Sequence, residues 1–195
     1  MKDPELRAWA SARQNQDFIW IYTNSGRVLS VYDPQGKDIV LGLDADENAL
    51  GVAVQEALAY SRLFTAYEAR KLLDQLVNGV GYEERVKALM SIHGYKSKYM
   101  MFKEMKSCSI TLSKGLIEIR PSIHDRLDGW IRRKSDGIKD VVISAERPPH
   151  MIGAALRLAF TRCLESPSRL RAKARRDRWM ACLASRREGK ARPGT

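Results

Sequence analysis

The sequence predicts a single mixed α/β domain, a largely antiparallel sheet packed by helices, over residues 1–165, followed by a basic helical extension over 166–195. Three observations carry that reading. Short β-branched and aromatic runs, punctuated by turn residues, occur in the first and last thirds of the body. Between and after them, apolar residues recur at helical spacing. Charge is unevenly placed: from Glu165 to Thr195 ten Lys or Arg stand against three acids, a net +7, so only about +4 of the formal +11 belongs to the body. A chain of this length buries one ordinary core without help from a metal or disulfides.

Residues 18–23, 27–32 and 39–43 are rich in Ile, Val, Tyr and Trp and read as strands. Asn24-Ser25-Gly26 suits a tight hairpin, and Asp33-Pro34-Gln35-Gly36 places proline where its ring presets φ, so the three strands suggest an antiparallel meander. Helical patterning follows. Asp44 or Asp46 can cap a helix whose face carries Leu50, Val54, Ala57, Leu58 and Ser61. Thr65 and Glu68 have capping-box spacing ahead of Ala69, Leu72, Leu73, Leu76 and Val77, and Asn78-Gly79 can stop that helix. A third helix spans 83–94 through Val86, Leu89 and Met90, whereas Tyr99, Met100, Met101, Phe102 and Met105 fit either a strand or a short helix.

Segments 108–112 and 116–120 alternate apolar and polar residues around Ser113-Lys114-Gly115, the pattern of a second hairpin, which Pro121 ends. A polar connection containing Trp130 leads to a short strand at 141–143. Pro148-Pro149 then opens a helix at the position where a missing N–H costs nothing. Ile152, Ala155, Leu156, Ala159, Phe160, Cys163 and Leu164 form an apolar stripe opposite Arg157 and Arg162, and this helix should pack on the sheet. After Ser166-Pro167, residues 169–187 read as a basic helix with Leu170, Trp179 and Leu183 as sparse apolar anchors.

Enzymatic chemistry finds little support. The nucleotide, phosphate, nucleophile-elbow and zinc-protease motifs are all missing. His124 beside Asp125, or His150 near Glu146, can be drawn as a base with an orienting carboxylate, but sequence neighbours rarely have that geometry, and polar side chains at the surface are the simpler reading for these histidines. The three cysteines, Cys108, Cys163 and Cys182, show no CxxC pair and no histidines at ligand spacing, so neither a disulfide framework nor a metal site is expected, and no cofactor. Cys163 on its apolar stripe and Cys108 alternating inward read as small core residues, and Met100, Met101 and Met105 as core filling. The first 16 residues contain no apolar run of the kind found in a signal peptide, and no stretch reaches the roughly 18 apolar residues of a membrane span, so a cytoplasmic protein is expected.

Two surfaces remain as candidates for binding. Residues 125–137 place Asp125, Arg126, Asp128, Arg132, Arg133, Lys134 and Asp136 around Trp130, an aromatic anchor with a charged surround; the plainer alternative is a tryptophan that plugs the core. The basic tail has the charge to bind a phosphate backbone, which makes a nucleic-acid-binding protein the alternative function, although a solvated terminal helix would look the same.

The ordered set Ser109-Ile110-Thr111-Leu112, Gly115-Leu116-Ile117-Glu118-Ile119-Arg120-Pro121, Trp130, Val141-Val142-Ile143-Ser144 and Gly153-Ala154-Ala155-Leu156-Arg157-Leu158-Ala159-Phe160-Thr161-Arg162-Cys163 resembles the contact-dependent growth inhibition immunity proteins. The tail lies outside the resemblance. Such a protein implies a non-enzymatic cytoplasmic partner of a cognate toxin C-terminal domain, paired with it as a heterodimer. The toxin is often a nuclease, frequently one that cleaves transfer RNA, and the immunity protein covers its active site or substrate surface. The matched residues belong to the scaffold, so no binding residue transfers with them. Bulk charge argues against simple phosphate mimicry, because the body is mildly basic. Two sets of toxin-binding candidates follow: Asp125, Asp128, Trp130, Arg132, Arg133 and Lys134, whose cations would meet carboxylates, and Asp44, Asp46 and Glu47, which would meet basic toxin residues.

Overall fold

The computed structural model describes residues 7–26, 29–65, 67, 68, 81–133 and 135–189, the last nine as backbone only. Its first element is a strand that the sequence analysis does not anticipate, β1 (Ala8–Gln14). There follow β2 (Ile19–Gly26), β3 (Ser30–Tyr32), β4 (Asp38–Leu41) and helix α1 (Glu47–Ala59). Helices α2 (Tyr82–Ile92) and α3 (Lys98–Phe102) precede β5 (Lys106–Ser113), β6 (Leu116–Pro121), β7 (Ile123–Arg126), β8 (Gly129–Ile131) and β9 (Val141–Ser144). The chain ends with α4 (Pro149–Thr161), β10 (Leu164–Glu165) and α5 (Pro167–Gly189).

Seven strands form one antiparallel sheet in the order β3-β2-β1-β5-β6-β9, with β4 pairing on β2 beside β3, and β10-β7-β8 form a small second sheet. The predicted α/β architecture with a largely antiparallel sheet is therefore present, but its first part is not a meander. Strand β2 continues through Asn24, Ser25 and Gly26, which were expected to turn, and carries β4 along its first half and β3 along its second. Those polar residues stay in the strand because each is satisfied inside the fold. Asn24 donates to the Ser11 hydroxyl at 2.7 Å, and Ser25 donates to Asp33 at 2.6 Å, which also receives a two-pronged Arg62 guanidinium at 2.9 Å. Of the predicted strand over 27–32, residues 27 and 28 lie outside the described residues and Ser30–Tyr32 form β3, and the Asp33–Gly36 turn closes as expected, with the Gly36 N–H donating to the Asp33 carbonyl.

Other expectations fare variously. Asp46, not Asp44, caps α1, its Oδ1 accepting the Ala49 N–H at 2.7 Å. Thr65 and Glu68 make reciprocal capping-box bonds, while the helix predicted after them lies outside the described residues. The undecided run resolves into α3, capped by Ser97. The β5–β6 hairpin turns at Lys114 and Gly115, both at positive φ (52° and 73°), as a two-residue turn matched to strand twist requires. The polar connection after Pro121 is in fact the β7–β8 hairpin.

Alternation along the strands builds two cores. Ala10, Ala12, Ile19, Ile21, Cys108, Ile110, Ile117 and Ile119 face α1 and α4, where they meet Leu50, Val54, Ile152, Leu156 and Phe160. Phe18, Trp20 and Tyr22 face the other way and pack with Val86, Leu89, Met101, Phe102 and Met105. Burial of each large aliphatic or aromatic chain contributes about 1.5–3 kcal/mol, so β2, buried on both faces, anchors both layers.

Helices α1 and α4 cross at two glycines. A Cβ on Gly51 would stand 1.7 Å from the Pro149 carbonyl oxygen, and one on Gly153 would stand 1.8 Å from that of Glu47. Neither backbone atom can yield without parting the helices. Gly153→Ala is therefore expected to destabilise the protein by about 3 kcal/mol in urea unfolding, against about 1 kcal/mol for Gly94→Ala, where only the positive φ resists.

Candidate functional site

The second face of the sheet is organised around a buried guanidinium. Arg13 alternates with Ala12 on β1 and so points away from the α1–α4 layer, toward the aromatic core. Its carbon centre lies 4.2 Å from the Trp130 ring, 5.2 Å from Tyr82, 5.5 Å from Trp20, 5.7 Å from Tyr22 and 5.9 Å from Phe102. Asp128 supplies the counter-charge at 3.4 Å, and the Tyr82 hydroxyl accepts from Arg13 while donating to Asp128 at 2.8 Å. Nε of Arg13 has no hydrogen-bond partner. Burial raises the Tyr82 phenol above its ordinary range, so it stays a neutral donor rather than a nucleophile.

This arrangement places the candidate residues of 125–137. Asp128 and Trp130 are drawn inward: the indole Nε1 donates to the Met105 carbonyl at 3.0 Å, and the ring stacks on His124 at 4.9 Å. Arg132 is engaged by Asp136, by Asp140 at 2.7 Å and by the Ile138 carbonyl. Asp125 is half-buried, the Arg133 side chain is exposed, and Lys134 lies outside the described residues. Much of the segment's chemistry is thus turned onto the protein itself.

Asp44, Asp46 and Glu47 form a different kind of surface. All three are exposed, on the loop and first turn that begin α1. Arg157 of α4 clamps that loop by donating to the carbonyls of Leu43 and Ala45. The carboxylates sit at a helix N-terminus, whose dipole favours negative charge. The result is an acidic ridge held in place before any partner arrives.

Among the described residues neither His124 nor His150 is hydrogen-bonded to the neighbouring carboxylate drawn for it. His124, expected at the surface, is 3 % exposed; its Nε2 meets the Leu127 carbonyl at 3.0 Å, and burial lowers its pKa. It is recruited inward because β7 pairs with β8 and sets the imidazole against Trp130. His150 is exposed on α4. Cys108 is buried, and burial pushes its thiol well above the usual value; Cys163 lies just past the end of α4 with its Sγ 3.7 Å from that of Cys108. Met101 and Met105 fill the second core, whereas Met100 is partly exposed. Among the described residues no group of three His, Cys, Asp or Glu could hold a metal ion. Sequence reasoning missed a cleft of about 330 Å³ beside Arg13, lined by Ser11, Tyr22, Asn24, Tyr32 and Tyr82. Its signal was the period-2 aromatic row Trp20, Tyr22 on β2, read for strand formation but not for what the other face would hold.

The family model for CDI immunity protein (CdiI) matches residues 8–163. An immunity protein, CdiI-YPIII of Yersinia pseudotuberculosis serotype O:3 (strain YPIII), is 34% identical over 181 residues, covering 84% of this chain and 99% of its own. Among solved structures, a Neisseria meningitidis protein described as of unknown function superposes with a TM-score of 0.76 at 34% identity, covering 84% of this chain and 99% of that one. A chain of a CdiA-CT/CdiI toxin and immunity complex from Yersinia pseudotuberculosis gives 0.71 at 34% identity, covering 81% of this chain and 98% of that one. The chain belongs to the CDI immunity protein family. The match includes β1 and ends before α5, so the Arg13 face lies inside the family region and the basic helix outside it.

Two outcomes follow for the buried polar groups. Asp128→Ala leaves Arg13 without its counter-charge; with the pair 11% and 24% exposed, the expected cost in chemical unfolding is about 2 kcal/mol, between surface and fully buried pairs. Because burial holds the His124 imidazole below the ordinary histidine pKa of about 6.5 in the folded state, the unfolded chain takes up that proton first. The stabilising contribution is present above that pH and is lost as pH falls through it toward the folded-state value. Thermal unfolding of His124→Gln should accordingly decline less steeply than wild type between pH 7 and 5, within the window of about 5–8 in which histidine titrates.

Proposed function

We propose that this protein is a cytoplasmic immunity protein that binds the C-terminal toxin domain of its cognate contact-dependent growth inhibition system and blocks it without catalysis. The observation that carries this is the likeness, at 34% identity and a TM-score of 0.71 over 81% of this chain and 98% of that one, to a chain of a toxin and immunity complex. The absence of a histidine, thiol or metal-ligand constellation with usable geometry among the described residues fits a binding role. No helix among them is long and apolar enough to cross a membrane.

The toxin is a nuclease in this reading, with transfer RNA a fitting substrate, and the immunity protein docks by its acidic ridge. A nuclease must present cations where it grips phosphates, and Asp44, Asp46 and Glu47 present exposed carboxylates to such a surface. The body's overall positive charge makes this local reversal of sign the distinguishing feature. Arg157 holds the ridge in place, so little ordering is needed on binding. Arg133 remains available at the surface, whereas Arg132 would have to leave Asp136 and Asp140 to engage a partner.

The test is surface binding kinetics with the toxin domain encoded beside this protein, together with a growth-protection assay. Asp44→Asn, Asp46→Asn and Glu47→Gln combined preserve the α1 cap and should slow association about tenfold at low salt while leaving the fold intact. Unchanged kinetics would remove the ridge from the interface. Failure of the wild-type protein to bind or protect would overturn the proposed function itself.

A further inference from the structure

The helix beyond the family match divides its cations between two faces. Arg169, Lys173 and Arg176, at i, i+4 and i+7, turn toward the body. Arg169 donates to the Lys103 carbonyl, Lys173 pairs with Glu104 at 3.7 Å, and Arg176 lies 5.7 Å from the Tyr99 ring centre. Arg171, Arg175 and Arg178 repeat that spacing two residues later, about 200° around the helix and hence on the opposite face. All three are exposed, and no described residue partners them. Trp179, 62% exposed, follows Arg175 by one turn and flanks the same row. Among the described side chains, three cations therefore dock the helix, and three arginines stand exposed beside an uncovered indole.

We infer that the outer face of α5 binds the phosphate backbone of unpaired nucleic acid, with Trp179 stacking on a base. The sign and density of charge fit, with a net +7 over residues 165–195. The row is all arginine on its outer side, and the planar guanidinium fork matches phosphate oxygens. From Arg171 to Arg178 it spans about 10 Å along the axis, enough for more than one phosphate. An exposed indole beside the cations supplies the platform that unpaired bases use. An acidic protein would satisfy the arginines and leave that platform unused. A lipid surface needs one continuous apolar face, but Leu170 and Trp179 stand nine residues apart, on opposite sides of the helix. The inference is independent of toxin binding, because the surface lies outside the region shared with the immunity family.

Fluorescence anisotropy of the full-length protein with a labelled single-stranded RNA of about 20 nucleotides tests it. Affinity should fall with salt at a log–log slope near −2, from roughly 0.7 for each of three phosphate contacts. Arg171→Gln, Arg175→Gln and Arg178→Gln together should weaken binding at least about tenfold with unchanged circular dichroism. Trp179→Leu should weaken it about fivefold or more and abolish the RNA-induced quenching of tryptophan emission. RNA affinity unchanged in the triple arginine variant would overturn the inference. So would binding of polyglutamate or of anionic phosphatidylglycerol vesicles as tightly as RNA, with the same dependence on the three arginines.

Discussion

A charged guanidinium buried against five aromatic rings organises half of this protein. Moving Arg13 out of water carries a large desolvation cost, which Asp128, the Tyr82 hydroxyl and the ring faces offset together. The arrangement fixes more than its own atoms. It ties β1 to α2 through Tyr82, to the β7–β8 hairpin through Asp128 and Trp130, and to α3 through Phe102. Each of these elements is short and would be marginal alone. Convergence on one cation gives them a common point of attachment on the second face of the sheet.

The opposite face is held by a different constraint, the two glycines that let α1 and α4 come into backbone contact. That contact brings Arg157 of α4 to the loop ahead of α1, and so the packing of two core helices determines where Asp44, Asp46 and Glu47 stand. Scaffold and ridge are linked physically: the helix crossing is inward-facing, and the acids are carried on its outer end.

The strongly patterned elements were legible in the sequence. The β5–β6 hairpin and α4 have clear periodicity, and their turn and capping residues agree with it. Strand β1 was not legible, because its inward residues are Ala10 and Ala12, too small to contrast with Ser11 and Arg13. Asn24, Ser25 and Gly26 carry turn chemistry, yet hydrogen bonds from distant residues hold them in a buried strand, and tertiary pairing overrides local preference. The same cause governs the site. Asp128 and Trp130 also engage Arg13, 115 positions away from Asp128, a contact that no local pattern reveals. Asp46 could be placed at a helix start from local spacing alone, whereas the arginine that braces its loop comes from the other helix.

Hydrogen exchange of this protein, free and mixed with its cognate toxin C-terminal domain, tests the account most directly. Neutralisation through a preformed acidic ridge predicts new protection across residues 42–49, with exchange in 123–131 unchanged because that hairpin is already locked by Arg13 and its partners. Protection centred on Trp130 with none at the ridge, or no change anywhere on mixing, would contradict it.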